Sequence, residues 1–504
     1  MRHQILSSLL VLSSFSCAAQ GMDPADPASL PAGAWVELAR MSASDGASYD
    51  TLGTSVAITG DGNTAVGGAP CADYDNGCGS ARGEAYVFVK PESGWASTTE
   101  TAKLIPSDGG GMAGSSVAIR GETVLVGAPY AVIGANRWQG AAYIFTKPAT
   151  GWADTNETAK LTASDGGASD LFGSSVVLHG DTAVVVTAHS IYVFIKPKGG
   201  WKTTSQFTAK LTPSDSGINP LGQVAMTSDT IVVGGPNTTV GSNPLQGVVY
   251  VFVKPAAGWA NMAETAKLSA SDGTAYDSLG WSVAIGGDTI AAGAPIKPYL
   301  SSKYETGATY VFVKPVGGWA STTETAKLVA GQGIRGEEMG HGVAVSSKGD
   351  KISAAASSGV YRFVEPTTGW ASTSEYRSKA KAANGDSLMD SVACSGGMGT
   401  MVSGSAYAIV GDNLYQGAVY VFALPVIKAI SPESGPIGTP VTLTGTNLAQ
   451  SSQVTFGGVP ATEVTIDSDT KVRAIVPTGA VTGTVKITTP SGQTTSTDAF
   501  TVMP

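Results

Sequence analysis

The sequence has few charged residues, few histidines and few cysteines. Only 14% of its 504 residues are Asp, Glu, Lys or Arg, and it has four histidines and four cysteines. The net charge of −9, with no basic run or stripe, argues against a nucleic-acid partner. An apolar content of 42% argues against a disordered chain. Glycine is abundant, with 65 residues, and together with 26 prolines it is typical of many short strands joined by turns.

Long apolar runs are absent except near the N-terminus. The run from Ile5 to Phe15 is too short to span a membrane and is followed by small residues, which predicts a signal peptide over residues 1–21. Two cleavage positions compete: one near Ala19–Gly21, and one before Cys17, which would then be lipidated. The expected location is extracellular, cell-surface or periplasmic, with membrane attachment only if Cys17 carries a lipid. No transmembrane helix is expected, and the sequence leaves the oligomeric state open.

The chain repeats itself, which is the strongest signal in the sequence. Each repeat contains four strand patterns, "ETAKL", "SVAI", "TxxVGAP" and "AYVFVK", separated by turns rich in Gly, Pro and Asp. The "YVF" pattern or a close variant begins at Tyr86, Tyr143, Tyr192, Tyr250, Tyr310, Tyr361 and Tyr420. Seven units of four strands predict an all-β fold with a seven-bladed β-propeller over residues 34–425. A solenoid of the same units is the alternative.

The order of strands within the repeat predicts how the ring closes. The last unit ends at Tyr420–Leu424 without an outer strand, whereas Trp35–Met41 is left over at the other end. Pairing these two segments would complete the seventh blade and remove both open sheet edges. Residues 22–33 are then a linker between the signal peptide and the ring.

Two resemblances accompany this organisation. "LFGSSVVLHGDTAVV", together with the recurring "GAP", resembles the FG-GAP repeat of integrin-α-like propellers and of bacterial exported proteins. After Pro425 the repeat stops, and "ISPESGPIGTPVTLTG" with "VTFGGVPA" resembles the IPT/TIG immunoglobulin-like domain. The second resemblance implies a small β-sandwich over residues 426–504, of a kind that generally serves as a spacer in exported proteins.

No catalytic or cofactor motif is present. There is no Walker or dinucleotide-binding motif and no nucleophile elbow, and the histidines occupy positions that other repeats fill with unrelated residues, which favours packing roles. Cys71 and Cys78 are predicted to form a disulfide, as loop cysteines of an exported protein usually do. The FG-GAP family often binds calcium through DxDxDG loops, but this chain has only partial matches. Asp73 and Asp75 are therefore weak cation candidates, and no cofactor is expected.

The predicted loops are unequal on the two faces of the ring. Loops joining the second to the third strand of a blade are long in five blades and short in blades 3 and 6, whereas the hairpins on the opposite face are tight. We call the two sides the long-loop face and the tight-turn face. The ligand-binding candidates on the long-loop face are Tyr74, Tyr130, Trp138, Tyr299, Tyr304, Tyr407 and Tyr415. These aromatic residues either bind a glycan or protein or pack over the loop bases. The acids on this face are expected to have structural roles.

These observations favour a non-enzymatic binding or adhesion protein, with the propeller as recognition head and the sandwich as spacer. A propeller enzyme acting on polysaccharide through loop acids is an alternative, because paired carboxylates cannot be identified by motif. A structural component of a surface assembly is a second alternative.

Overall fold

The computed structural model describes residues 35–72, 82–215, 221–297, 306–331, 336–489 and 492–504. These residues form β-strands, turns and loops, with no helix among them. The predicted all-β fold, a propeller followed by an immunoglobulin-like sandwich, is confirmed. Seven sheets lie between Val36 and Ala423, and two further sheets follow them.

Each of the first three blades is a four-stranded meander. Blade 1 contains strands β2 to β5, and blades 2 and 3 repeat its order of strands. The bounds are β2 (Ser55–Ile58), β3 (Thr64–Ala69), β4 (Glu84–Val89), β5 (Ala102–Leu104), β6 (Ser116–Arg120), β7 (Thr123–Ala128), β8 (Ala141–Thr146), β9 (Ala159–Leu161), β10 (Ser175–His179), β11 (Thr182–Val186), β12 (Ile191–Ile195) and β13 (Ala209–Leu211).

Blades 4 to 6 follow the same plan, and in blade 4 the two-residue strand β21 pairs in parallel with the outer strand. The bounds are β14 (Val224–Met226), β15 (Thr230–Gly235), β16 (Val248–Val253), β17 (Ala266–Ser269), β18 (Val283–Gly286), β19 (Thr289–Ala294), β20 (Ala308–Val313), β21 (Thr322–Thr323), β22 (Ala326–Leu328), β23 (Val343–Val345), β24 (Lys351–Ala356), β25 (Gly359–Val364) and β26 (Ser378–Ala380).

Blade 7 joins the two ends of the propeller. It contains β27 (Ser391–Cys394), β28 (Thr400–Ser405), β29 (Ala418–Ala423) and, as its outer strand, β1 (Val36–Met41). Strand β1 runs antiparallel to β29, with Val36 opposite Ala423 and Arg40 opposite Tyr420. The structure therefore contains the strand pairing that the repeat order predicts.

The "GAP" and "SV" patterns of the repeat meet where neighbouring blades touch. The hydroxyl of Ser55, at the start of an innermost strand, donates to the carbonyl of Gly114 in the next blade at 2.8 Å. A Cβ at Gly68 of "GAP" would overlap that same carbonyl, so the contact requires glycine. The equivalent bond from Ser391 to Gly53, at 2.9 Å, joins blade 7 to blade 1. The repeat thus encodes the contacts between blades.

The C-terminal domain packs two sheets face to face around one apolar core that includes Leu443, Phe456 and Phe500. One sheet has the order β30-β32-β36-β35, and the other has the order β31-β38-β37-β33-β34. The bounds are β30 (Val426–Ser431), β31 (Ser434–Gly435), β32 (Pro440–Thr446), β33 (Gln453–Phe456), β34 (Val459–Pro460), β35 (Val464–Ser468), β36 (Lys471–Ile475), β37 (Gly483–Thr489) and β38 (Gly492–Val502).

The sandwich docks on the tight-turn face of blades 7 and 1. Lys90, in the "VKP" turn of blade 1, forms an ion pair with Asp469 of the sandwich at 2.7 Å, and both side chains are only 8% exposed. The amide of Asn447 donates to the carbonyls of Gly399 and Leu424, both at 3.0 Å. The sandwich therefore contacts the face opposite the long loops.

Candidate binding face

The loops of the long-loop face differ in length as the sequence predicts. In blade 3 only residues 187–190 separate β11 from β12, and in blade 6 only residues 357–358 separate β24 from β25. The corresponding loops of the other five blades are much longer. The long loops of the candidate face therefore come from blades 1, 2, 4, 5 and 7, whereas blades 3 and 6 contribute only short loops.

A repeated set of three side chains anchors the loops that lead into each blade on this face. In blade 2, Tyr143 and Lys160 are cross-strand neighbours, and both hydrogen-bond to Asp108 of the incoming loop; the Tyr143 hydroxyl lies 2.6 Å from the carboxylate. The same arrangement recurs with Tyr86–Asp45–Lys103, Tyr192–Asp165–Lys210, Tyr250–Asp215–Lys267, Tyr310–Asp272–Lys327, Tyr361–Glu337–Lys379 and Tyr420–Asp386–Arg40. In blade 7, Arg40 of β1 takes the place of lysine.

These contacts account for four of the acids that the sequence places on the long-loop face, Asp45, Asp108, Asp165 and Asp272. Burial opposes ionisation of Asp108, but hydrogen bonds from Lys160 and Tyr143 outweigh it and hold the pKa of the carboxyl below its ordinary value. The same balance lowers the pKa values of Asp165, Asp215 and Asp272. A second acid, Asp50 in the first incoming loop, accepts the backbone N–H of Ala47 at 2.6 Å. The acids are engaged in fixing loops.

Three of the long loops share one backbone structure, and we call them the Asn–Gln loops: residues 130–140 of blade 2, 237–247 of blade 4 and 407–417 of blade 7. In the first, the amide of Asn136 donates to the Gln139 side chain at 2.9 Å and to the carbonyl of Gly166. Asn243 with Gln246, and Asn413 with Gln416, make the same pair of contacts in the other two loops. Each loop is thereby tied to the loop that leads into the next blade.

Two of the Asn–Gln loops carry an aromatic pair, in which both rings of blade 2 and one ring of blade 7 are exposed. Tyr130 and Trp138 meet edge to face with ring centroids 6.0 Å apart, and 40% and 50% of their surfaces are exposed. A cavity of about 300 Å³ lies beside them, lined also by Asp108, Met112 and Arg137. In blade 7, Tyr407 and Tyr415 meet edge to face at 5.5 Å, and 64% of Tyr407 is exposed.

Tyr49 extends the aromatic group of blade 7 and is absent from the sequence-based candidates. Its ring lies 5.5 Å from that of Tyr415, and 52% of its surface is exposed. Tyr276 occupies the equivalent position beside the blade 4 loop and is 58% exposed. Both belong to the incoming loops "ASYDTLG" and "TAYDSLG", so comparing these loops with each other would have identified the pair.

The four described aromatic candidates, Tyr130, Trp138, Tyr407 and Tyr415, form two groups in different blades and no single cluster. The other candidates lie outside the described residues: Tyr74, Tyr299, Tyr304, the cation candidates Asp73 and Asp75, Cys78 and the lipidation candidate Cys17. Cys71 is described and buried, and its disulfide with Cys78 stays a prediction.

A further group lies where three innermost strands begin. Trp281, His341 and Asp390 occupy equivalent positions just ahead of the innermost strands of blades 5, 6 and 7, and Nε2 of His341 lies 3.0 Å from a carboxylate oxygen of Glu338. Burial raises the pKa of Asp390 to about 6, against the opposing effects of the Ala406 N–H and of His341. The innermost strands enclose a central cavity of about 370 Å³.

Neither metal-binding geometry nor a membrane-spanning segment occurs in the described part of the chain. Across residues 35–504, apart from the undescribed gaps, no group of three or more His, Cys, Asp or Glu side chains could hold a metal ion. The same residues contain no helix long and apolar enough to cross a bilayer.

The fold is a β-propeller with an appended immunoglobulin-like domain. The family model of the FG-GAP repeat matches residues 35–88, 98–145, 155–192 and 262–312, and that of the IPT/TIG domain matches residues 425–502. The chain therefore contains four matched FG-GAP repeats, within the propeller, and a C-terminal IPT/TIG domain. Such domains are typical of extracellular or surface binding proteins and are typically non-catalytic. A comparison with curated proteins gave no match.

Proposed function

We propose that this protein is an exported, non-enzymatic binding or adhesion protein that uses the long-loop face of its propeller to bind a glycan or a protein. The observation that carries the proposal is the pair of exposed aromatic groups on the Asn–Gln loops. Exposed aromatic side chains on a rigid scaffold are the usual anchors of binding surfaces. Solvent-exposed rings would be unnecessary if the loops served only to cover the ends of the blades.

The two faces of the propeller support this choice. The tight-turn face is partly covered by the sandwich, which is held there by the buried Lys90–Asp469 ion pair. The long-loop face carries the aromatic residues, and its acids are largely paired with lysines or with backbone N–H groups. The face therefore offers apolar rings among neutralised polar groups, which suits a neutral glycan or a protein surface better than a polyanion.

The proposal is tested by binding of the mature protein to an array of neutral and sulfated glycans, with Tyr407→Ala as the test variant. Lys314→Ala, which removes an exposed ion pair with Asp288 on the tight-turn face, is the matched control. We expect Tyr407→Ala to weaken binding by about 1–3 kcal/mol and the control to leave it unchanged. Binding that is lost in the control and retained in Tyr407→Ala would contradict the assignment of the face.

A hydrolysis assay on the bound glycans separates binding from catalysis. We expect each glycan to be recovered intact after prolonged incubation, as judged by mass spectrometry. Shortened products that disappear when a long-loop acid is neutralised would support a propeller enzyme in place of the proposed function.

A further inference from the structure

We infer that the Asn–Gln loops of blades 2 and 7 are two copies of one sugar-binding site, each taking a neutral pyranose unit of the same polymeric glycan. The inference rests on the proposed function, and it adds the class of ligand and the number of sites. The third Asn–Gln loop, in blade 4, has the same backbone but lacks the aromatic pair, and it serves as a built-in comparison.

The three loops are equivalent in backbone hydrogen bonding. In blade 2 the carbonyls of Arg137, Trp138 and Gln139 accept N–H groups of the next incoming loop at 2.9, 3.0 and 2.8 Å. The same three positions accept at 2.9, 3.0 and 2.9 Å in blade 4, and at 2.8, 3.1 and 2.9 Å in blade 7. The loops are thus held in one conformation before any ligand arrives, which lowers the entropic cost of binding.

The second aromatic residue of each pair stands where the backbone favours glycine. The residue before the glutamine has a positive φ in all three loops, 60° at Trp138, 52° at Leu245 and 55° at Tyr415. Glycine adopts this conformation without strain, whereas a large side chain does not. This strain is common to all three loops, so blades 2 and 7 are distinguished by the ring at this position, which is exposed at Trp138 and half-buried at Tyr415.

The residues that blades 2 and 7 share, and those that they do not, indicate the chemistry of the ligand. Both loops have a tyrosine at the first position, Tyr130 or Tyr407, and an aromatic residue before the glutamine. The charge beside that residue is not shared, because Arg137 of blade 2 corresponds to Leu414 of blade 7. The common element is therefore a pair of rings without a common charge, which suits stacking against the apolar face of a neutral sugar.

The separation of the two groups argues for a sugar polymer over a protein. A stable protein interface needs a continuous buried centre, with about 800 Å² on each partner. Here the two small aromatic groups belong to blades 2 and 7, which are separated by blade 1 on one side of the ring and by blades 3 to 6 on the other. The cavity of about 300 Å³ beside Tyr130 and Trp138 is at the lower end of the size range of small-ligand sites.

The test uses the full-length mature protein and a panel of neutral gluco-, galacto- and manno-oligosaccharides of one to eight units, with calorimetric titration to obtain stoichiometry. The variants are Trp138→Gly, Tyr415→Gly and the double variant. Leu245→Gly, at the same backbone position in blade 4, is the matched control. Glycine suits the φ at these positions, so each variant is expected to keep its melting temperature to within a few degrees, which is checked by calorimetry.

Wild-type protein and Leu245→Gly are expected to bind two equivalents of a short oligosaccharide of the recognised type, each single variant one, and the double variant none. Binding to the immobilised polymer is expected to fall at least tenfold in each single variant, because the avidity of two sites is lost. A stoichiometry of one in the wild type would overturn the inference. So would unchanged binding in the double variant.

The outcomes also separate this inference from the proposed function. If no neutral saccharide binds but a protein or charged glycan binds the long-loop face, as judged by loss in Tyr407→Ala, the inference fails and the proposed function stands. If saccharide binds and is lost only on changing Tyr276, the two-site inference fails in the same way. If every ligand found binds through the tight-turn face, both fail.

Discussion

At the scale of single residues, the contact between a tyrosine, an acid and a cation recurs in every blade of the propeller. Tyr310 shows it clearly, because its hydroxyl donates to Asp272 at 2.6 Å and the same carboxylate receives Lys327 at 2.6 Å. Burial, followed by the hydrogen bond to Asp272, raises the pKa of Tyr310 far above its ordinary value. The hydroxyl therefore remains a donor throughout the range in which the protein is folded.

These acids make the stability of the propeller sensitive to low pH. The folded-state pKa values of Asp108, Asp165, Asp215 and Asp272 lie below the ordinary value of 3.8. Their contribution to the free energy of unfolding is therefore present above pH 3.8 and is lost as the pH falls through the folded-state values. We expect urea midpoints to vary little between pH 7 and 5 from this source, and to fall steeply below about pH 4.

The check compares Asp165→Asn with Asp181→Asn, which changes an exposed acid of a tight hairpin. Asp165→Asn should lower the urea midpoint at pH 7 and flatten its fall in acid, whereas Asp181→Asn should follow the wild type. Identical acid slopes in the two variants would show that the buried contacts do not control acid stability.

At the scale of strands, β1 decides whether the ring is closed. Its side chains Ala39 and Met41, and Trp35 just before it, are at most 4% exposed, and Arg40 completes the tyrosine–acid contact of blade 7. Deleting residues 22–42 should leave β29 with an open edge and lower the melting temperature by about 10 °C or more, since several kcal/mol of buried contacts are lost. Deleting residues 22–33, which stops short of Trp35, is the control for calorimetry. Equal melting temperatures in the two truncated proteins would mean that β1 does not hold the ring.

The strands were predictable from the sequence because the same order of strand segments recurs along the propeller. Blades 1 and 2 have the "SVAI", "GAP", "YVF" and "AKL" segments as consecutive strands, and Trp35–Met41 fills the gap that the repeat order leaves in blade 7. The positive φ of Trp138 and Tyr415 was not predictable, because no local signal distinguishes these residues from ordinary loop residues. The meeting of Tyr49 with Tyr415 joins positions 366 residues apart, and it follows from ring closure alone.

The sequence predicted that the acids of the long-loop face have structural roles, but it did not predict which side chains they contact. Asp50 does bind a backbone N–H. The contact of Asp108 with Tyr143 and Lys160 depends instead on the path of the incoming loop over the blade, which a sequence pattern of period two does not describe. Cross-strand pairing of Tyr143 with Lys160 was implicit in the repeat, since "YVF" and "AKL" are neighbouring strands.

At the scale of the whole molecule, the sandwich is fixed to the propeller through buried polar contacts. Removing the charge of Lys90 by Lys90→Met leaves the Asp469 carboxylate buried without its cation, which typically costs about 3–5 kcal/mol. We expect the variant to melt in two separate transitions, and its radius of gyration in small-angle scattering to increase. Ligand binding should be unchanged, because the sandwich lies opposite the long loops.

The matched control is Lys254→Met, which changes the same position of the "VKP" turn in blade 4, where the side chain is exposed. It should show the melting curve and the scattering of the wild type. A single unchanged transition in Lys90→Met would mean that the ion pair does not hold the two domains together.

The pairing of β1 with β29 also determines how the propeller responds to mechanical load. Val36 and Ala423 are opposite each other, so the chain enters β1 and leaves β29 at the same end of one antiparallel pair. Tension applied between these two points would open the pair one hydrogen bond at a time, which is the weakest direction in which a sheet can be pulled. If the protein is instead anchored through the sandwich, tension from a ligand on the long loops passes to the sandwich through β29 and through the Lys90–Asp469 and Asn447 contacts. Strand β1 then carries no load. The point of anchorage therefore decides which strand pair limits the force that the protein can bear.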